Sequence, residues 1–189
     1  MKYILYSLLI IGVASCNDDP ENTFLTDFNF PANCGNSESS FEILEGVMDS
    51  GFIVYFPNII NPESDLICST FFPEANDQVK TVELFQVIDR DNIIIFENKN
   101  FLPNDESMGW SGTYNGEMVD GGFQYIIQVR LTNDALVEYQ GIVCSIFCSS
   151  NFSDYSDRGL NLSAARWPGW IEAFSGYDPT LIGCSIECD

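Results

Sequence analysis

Short runs of apolar residues, separated by clusters of glycine, proline, asparagine and aspartate, dominate the middle of this sequence. Valine, isoleucine, phenylalanine and tyrosine supply most of these runs, and such residues favour β-strands. Short strands with regular turn signals are typical of antiparallel sandwiches rather than of α/β folds. We therefore predict an all-β antiparallel sandwich over residues 41–148. Its predicted strands are residues 41–44, 52–56, 79–87, 92–96, 123–131 and 137–147.

Turn chemistry between the runs supports this prediction. Residues 89–92, Asp-Arg-Asp-Asn, form the expected hairpin turn between two strands. Asn115-Gly116 predicts a type I′ hairpin, because that turn requires positive φ at both central residues. Gly121-Gly122 suits a second tight turn or a bulge. The residues beside the first turn are too apolar for exposed strands, so we predict that they share a core: Val82, Leu84, Phe85, Val87, Ile93, Ile94 and Ile95.

The N-terminus carries a different pattern. Residues 3–13 are almost wholly apolar, which is the length of a secretory h-region and too short to span a bilayer as a helix. The next residues, Val-Ala-Ser-Cys at 13–16, resemble the lipobox of bacterial lipoproteins. The resemblance implies that residues 1–15 are removed and that the thiol of Cys16 is acylated. The alternative is an ordinary signal peptide followed by a chance cysteine.

Lipidation would make the protein membrane-bound without a transmembrane segment, because several acyl chains together hold a protein firmly on a bilayer. Residues 16–40 are polar and acidic and suit a solvated tether. Their start, Asn-Asp-Asp-Pro-Glu at 17–21, resembles the acidic signal that exports some lipoproteins to the outer face of the outer membrane. We therefore expect an outer-membrane, lipid-anchored, cell-surface protein. The alternative for this stretch is an extended linker.

Composition removes several function classes. Loss of residues 1–15 takes away Lys2 and none of the 28 acidic residues, so the formal net charge moves from −21 to −22. Such a charge excludes a generic nucleic-acid binder, which needs a basic face. The sequence contains no histidine, which removes Ser-His-Asp and Cys-His catalysis. It also contains no EF-hand calcium loop. We predict no catalytic residues, no metal and no cofactor.

Six cysteines remain when Cys16 is set aside, and an even number in an exported chain predicts disulfides. The pattern Cys-Ser-Ile-x-Cys occurs twice, at 144–148 and at 184–188. Cysteines four apart on a strand share one face, so two such strands could cross-link to each other or reach separate neighbours. A four-thiolate zinc site is the rival interpretation. The predicted disulfide cysteines are Cys34, which would pin the tether, and Cys68, Cys144, Cys148, Cys184 and Cys188.

Residues 110–147 read WSGTYNGEMVDGGFQYIIQVRLTNDALVEYQGIVCSIF. This stretch resembles the gliding-motility-associated C-terminal domain, which is the type B sorting domain of type 9 secretion substrates. The likeness lies in the Trp-x-Gly-Thr-Tyr-Asn-Gly start at 110–116, the aromatic strand at 120–125 and the final strand entered through Gly141. Residues 82–97 and 56–62 resemble its upstream hairpin and entry more loosely. The resemblance covers residues 52–147 and implies an immunoglobulin-like sandwich. Independently of it, we expect Trp110 to pack at the edge of the sandwich, as a core residue rather than a ligand-binding one.

The chain also departs from that family. Ser111 replaces the usual acid, and Asn-Pro-Glu-Ser-Asp at 61–65 replaces the usual Asn/Asp-rich loop. The domain is not terminal, because residues 148–189 follow it and include cysteines. A sorting signal of this family sits at the end of the chain, and a lipobox offers another route to the surface. We infer that the fold was retained and the sorting role was not.

Residues 149–189 form the predicted C-terminal extension, stapled by disulfides and rich in aromatic residues. Trp167, Trp170, Phe174 and Tyr177 are the candidate partner-binding residues, since interfaces favour such side chains. Alternatively, these rings pack against the sandwich. We expect a non-catalytic surface lipoprotein that binds an outer-membrane protein as an accessory subunit of a secretion, assembly or motility complex. The alternatives are a glycan-binding lipoprotein, a type 9 secretion cargo and a carboxylate-based enzyme.

Overall fold

The computed structural model describes residues 30, 34, 39–47, 51–63 and 69–146. These residues form β-strands joined by turns, together with a 3-10 turn at Glu106–Met108. The strands, numbered in chain order, are β1 (Ser40–Glu45), β2 (Val54–Tyr55), β3 (Ile59–Ile60), β4 (Glu74–Ala75), β5 (Val79–Ile88), β6 (Ile94–Asn98), β7 (Thr113–Tyr114), β8 (Glu117–Met118), β9 (Gly121–Leu131) and β10 (Leu136–Ser145).

One large sheet organises the fold. Its strands lie in the order β1-β10-β9-β5-β6, and each pairs antiparallel with its neighbour. The short strand β3 adds in parallel to the far end of β10. Two further pairs, β2 with β4 and β7 with β8, stand outside this sheet. The fold is therefore the predicted all-β antiparallel sandwich, in which one layer is much more regular than the other.

The core lies against one face of the large sheet. Alternate residues of β9, from Phe123 to Leu131, point toward it, as the two-residue period of a strand requires. Phe56, Phe71 and Trp110 come from the segments that carry the short strands and pack onto these residues. The resulting aromatic contacts include Phe71 with Tyr125, whose ring centroids lie 5.1 Å apart. Hydrophobic burial between the two layers is the main stabilising term.

The six predicted strands all occur, with ends shifted by a few residues. The shared core is confirmed for Val82, Phe85 and Val87, which are buried. The prediction of core positions is wrong for Ile93 and Ile94, which are both 47% exposed. A register shift after Val87 pairs Ile94 with Ile88, on the face that points away from the core. Leu84 also faces away and is half-buried, whereas Ile95 packs against the core cluster.

The predicted turns also occur. Asn115 has φ of 53° and Gly116 has φ of 85°, as the type I′ prediction requires. In the turn at residues 89–92, the carboxylate of Asp89 accepts hydrogen bonds from the backbone N–H groups of Asp91 and Ile93. The prediction for Gly121-Gly122 needs correction, because both glycines lie in β9, opposite Ser145 and Cys144.

A disulfide bond joins Cys34 to Cys144, and both residues are fully buried. This confirms that Cys34 pins the segment before β1. For Cys144 the bond also decides between the two arrangements of the repeated cysteine pattern, because its sulfur is bonded to Cys34 and not to a cysteine at 184–188. Cys68, Cys148, Cys184 and Cys188 lie outside the described residues, as does the predicted C-terminal extension.

Candidate functional site

Strand β1 forms one end of the large sheet. It pairs with β10 on one side, and no other strand of the described ranges pairs with its outer side. All six residues of β1, Ser-Phe-Glu-Ile-Leu-Glu, are exposed. An edge strand presents a row of backbone N–H and C=O groups that another chain can pair with. Both the backbone rim and the side chains of β1 are therefore accessible.

One face of β1 is apolar. Phe41 stands opposite Tyr139, with ring centroids 5.9 Å apart, and Ile43 stands opposite the buried Val137. Both belong to the face that carries the core, yet Phe41 is 54% exposed and Ile43 is 44% exposed. Leu44 and Val47 are exposed beside them. The apolar surface of the core thus continues past its covered part and reaches solvent at β1.

The other face of β1 is acidic. Glu42 stands directly opposite Glu138 on β10. The carboxylate of Glu138 accepts hydrogen bonds from the side-chain amides of Gln128 at 2.7 Å and Gln140 at 2.8 Å. Amides satisfy these oxygens without neutralising their charge, and like charges opposite each other repel. The acidic face therefore favours an incoming positive charge.

The start of β1 is tethered covalently. Cys34, six positions before Ser40, is bonded to Cys144 near the end of β10. The backbone N–H of Cys144 donates to the carbonyl of Asn58, and that of Ile146 donates to the carbonyl of Ile60. This end of β10 is thereby held against β3. The chain that enters β1 starts from a fixed point on the sheet.

The end of β1 is held by the guanidinium of Arg130. Its Nη1 donates to Glu45 at 2.7 Å and to the backbone carbonyl of Asp134 at 2.9 Å. Its Nε and Nη2 donate to the two oxygens of Glu83 at 2.7 and 3.0 Å. The hydrogen bonds that Arg130 donates to Glu83 and then to Glu45 raise the pKa of Arg130 above its ordinary value. The bond from Arg130 in turn lowers the pKa of Glu83.

Two further contacts hold the residues that directly follow β1. Gly46 has φ of +80°, and a Cβ built on it would lie 3.0 Å from the Cα of Ala135. The side-chain amide of Asn133 donates to the carbonyl of Val47 at 3.0 Å. The exposed strand is thus fixed at both ends before any ligand arrives. Such preorganisation reduces the entropy lost when a second strand binds.

The opposite edge, β6, differs in its charge. Glu97 of β6 binds Lys99 at 2.8 Å and Gln86 at 2.6 Å. The hydrogen bond from Lys99 is the main cause of the lowered pKa of Glu97. Ile94 is about as exposed as Ile43, so the two edges present comparable isoleucines in different electrostatic surroundings. Variants of β6 can therefore serve as controls for variants of β1.

Neither a metal centre nor a membrane helix occurs in the part of the chain that the structure describes. No group of three or more cysteine, aspartate or glutamate residues there is arranged to hold a metal ion. No helix in the same ranges has the length and apolar character needed to cross a bilayer. Burial raises the pKa of Tyr139, which lies opposite Phe41 of β1, above its ordinary value.

The residues that the sequence singled out for function fall elsewhere. Cys16 and the four candidate partner-binding residues, Trp167, Trp170, Phe174 and Tyr177, lie outside the described residues, so their roles stay predictions. The β1 surface was predicted as a strand and not as a binding surface. Its signal was present in Phe-Glu-Ile-Leu-Glu at 41–45, where large apolar residues and acids follow one another at the start of the first strand.

No protein-family model, no curated protein and no solved structure matches this chain. The resemblance of residues 52–147 to the gliding-motility-associated C-terminal domain therefore lies in the sequence pattern alone.

Proposed function

We propose that this protein is a non-catalytic lipoprotein, anchored through Cys16 to the surface of the outer membrane, whose sandwich binds a protein partner. It would act there as an accessory subunit of an outer-membrane secretion, assembly or motility complex. Residues 16–40 would serve as the tether between the anchor and the sandwich. We further propose that the sandwich retains the fold of the gliding-motility-associated C-terminal domain without its sorting role.

The exposed edge strand β1 carries this proposal. Strand addition at a sheet edge is a common mode of protein recognition, in which backbone hydrogen bonds supply affinity and alternate side chains supply specificity. β1 offers both: a backbone rim that no described strand covers, and an apolar face that includes Phe41 and Ile43. An exposed apolar edge is an aggregation hazard unless a partner covers it, which favours a complexed protein.

A protein partner fits this surface better than a glycan does. Sugar-binding platforms use aromatic rings set side by side, whereas the large exposed aromatics of the described ranges are Phe41 and Tyr114, on β1 and in the β7–β8 hairpin. The aromatic residues at 167–177 keep the glycan alternative open. They also serve as a proposed second contact for the same partner.

Affinity purification from native membranes tests the proposal. The tagged, lipidated chain is extracted in gentle detergent, and the proteins that co-purify are identified by mass spectrometry. We expect one outer-membrane protein in stoichiometric amount. A Cys16→Ala variant should leave the membrane fraction, which would establish the anchor independently of the partner.

Matched edge variants connect the partner to β1. Phe41→Ser/Ile43→Thr should reduce co-purification several-fold, whereas Ile94→Thr on β6 should not, because both edges expose an isoleucine to a similar extent. Unchanged thermal unfolding would show that each variant remains folded. If the wild-type chain emerges alone and still acylated, the accessory-subunit proposal fails and glycan binding becomes the leading candidate. Cleavage near residue 50 or after residue 148 in cells would instead favour a type 9 cargo.

A further inference from the structure

We propose that the partner segment added to β1 is an extended strand in which apolar residues alternate with lysine or arginine. This inference rests on the proposed function and specifies the chemistry of its partner. It follows from the different character of the two faces of β1, since the side chains of an added strand point alternately to those faces.

The apolar positions of the segment are set by Phe41 and Ile43. An added strand places every second side chain on the same face as these residues, next to the core. Since both residues are about half exposed, apolar side chains at those positions would remove their surface from water. β1 has six residues, so the contact fits a strand of about six residues, or about 20 Å.

The basic positions are set by the acidic face. The intervening side chains of the added strand would lie beside Glu42, which already faces Glu138. Arg130, which contacts β1 through Glu45, is already committed to Glu83, Glu45 and a backbone carbonyl. A lysine or arginine from the partner would relieve the repulsion between Glu42 and Glu138, and opposite charges across strands are stabilising.

The same charges argue against a second copy of this chain, or its segment 149–189, as the strand that pairs with β1. A second copy pairing edge to edge would bring its own Glu42 and Glu45 to the interface, on a molecule whose net charge is −21 before processing. The segment 149–189 contains six acidic residues and two arginines, so it does not provide an alternating basic strand. A separate, basic partner is the occupant that matches the charge of the edge.

Peptide binding to the full-length lipidated protein in nonionic detergent tests the inference. The probe is a fluorescein-labelled heptapeptide, Lys-Val-Lys-Ile-Lys-Val-Lys, whose binding is followed by fluorescence anisotropy. The first control is Lys-Lys-Val-Ile-Val-Lys-Lys, which has the same composition and charge without the alternation. The second control is the peptide with glutamate in place of every lysine. We expect the alternating basic peptide to bind about tenfold tighter than either control.

Variants then assign the binding to β1. Glu42→Lys should weaken the alternating peptide about fivefold to tenfold, because it replaces an attractive cross-strand pair with a repulsive one. Ile43→Thr should also weaken it, and Ile94→Thr on β6 should not. Equal binding of the isomeric peptide would reduce the effect to general attraction by an acidic protein and overturn the inference. The inference would also be overturned if the wild-type protein forms dimers that the Ile43→Thr variant does not form, because a second copy would then occupy β1.

The outcomes for the partner and for its chemistry are separable. If an outer-membrane protein co-purifies and is lost with Phe41→Ser/Ile43→Thr but kept with Glu42→Lys, the accessory-subunit proposal stands and the basic-strand inference fails. If nothing co-purifies but the alternating peptide binds at β1, the edge chemistry stands and the accessory-subunit proposal fails.

Discussion

Gly141 of β10 stands opposite Tyr125 of β9 and leaves room for its ring. A Cβ built on Gly141 would lie 2.4 Å from the phenolic oxygen of Tyr125 and 2.6 Å from the ring carbon that bears it. Both residues are buried between the layers of the sandwich, so the ring has little space to move. A single hydrogen atom in place of a side chain thus lets two central strands stay in register beneath an aromatic core.

Gly141→Ala should therefore destabilise the protein by about 1–3 kcal/mol, the usual cost of overpacking a well-filled core. Urea unfolding followed by tryptophan fluorescence would measure the loss. The control is Gly116→Ala, where a Cβ meets nothing within 4 Å and the cost comes from positive φ alone, about 1 kcal/mol. A smaller loss at Gly141 than at Gly116 would contradict the packing argument.

Trp110 illustrates a residue whose role was predictable. Core packing was expected, and the side chain is buried with its ring centroid 5.0 Å from that of Phe123. Its indole N–H donates to the carbonyl of Thr113 at 2.9 Å, so burial leaves no unpaired donor. Core packing of Trp110 was predictable because a tryptophan side chain buries a large apolar surface.

Several strands are joined by one side chain. Arg130 on β9 connects Glu83 of β5, Glu45 of β1 and the turn that leads into β10. Hydrogen bonds between charged groups contribute more than neutral ones, and the partial burial of Arg130 limits their screening by solvent. The cluster therefore stabilises the edge where β1 joins the sheet, at the end opposite the disulfide.

Arg130→Met should lower the free energy of unfolding at pH 7 by about 1–2 kcal/mol. It should also change the pH dependence. The pKa of Glu83 is lowered in the folded protein, so its contribution is complete above the unfolded value of 4.5 and is lost as pH falls through the folded value. The wild type should thus lose more stability than Arg130→Met below pH 4.5.

Urea unfolding at a series of pH values would measure this difference. Lys99→Met, directly after β6, is the control, because it removes an ion pair of more exposed side chains and should change stability less than Arg130→Met does. If the free energy of unfolding falls equally for the wild type and Arg130→Met as the pH is lowered, Arg130 does not set the pKa of Glu83.

A disulfide joins Cys34 to Cys144, which are 110 positions apart in the sequence. A crosslink over so long a loop restricts the unfolded chain strongly, and the loop-entropy model gives about 4–5 kcal/mol for this length. The bond also fixes where the predicted tether meets the sandwich. Stability and the geometry of the β1 edge therefore both depend on one covalent link.

Replacing both cysteines, Cys34→Ala/Cys144→Ala, should lower the free energy of unfolding by about 2–5 kcal/mol. Hydrogen exchange should also speed up at the backbone amides of β1, because the chain that enters this strand loses its fixed start. Peptide mapping without reductant would identify the bond directly. A double variant as stable as the wild type, with unchanged exchange at β1, would contradict this assignment.

Local patterns were sufficient to predict much of this fold. The long strands follow from β-branched and aromatic runs, and the hairpin at Asn115-Gly116 follows from the conformations that those two residues tolerate, so both are properties of a few neighbouring positions. Short pairs such as β2 with β4 were incompletely predicted, since two-residue strands carry no periodic signal. Ile93 and Ile94 were misassigned because hydrophobicity alone does not reveal a register shift.

Contacts between distant positions required the folded chain. Arg130 and Glu45 are 85 positions apart, and the partner of Cys144 was one of several cysteines that the sequence could not rank. The exposure of β1 depends on which strand ends the sheet, and strand order is set by the packing of the whole core. The sequence thus determines which segments become strands, whereas the assembled sheet makes one of them, β1, an anchored and open edge.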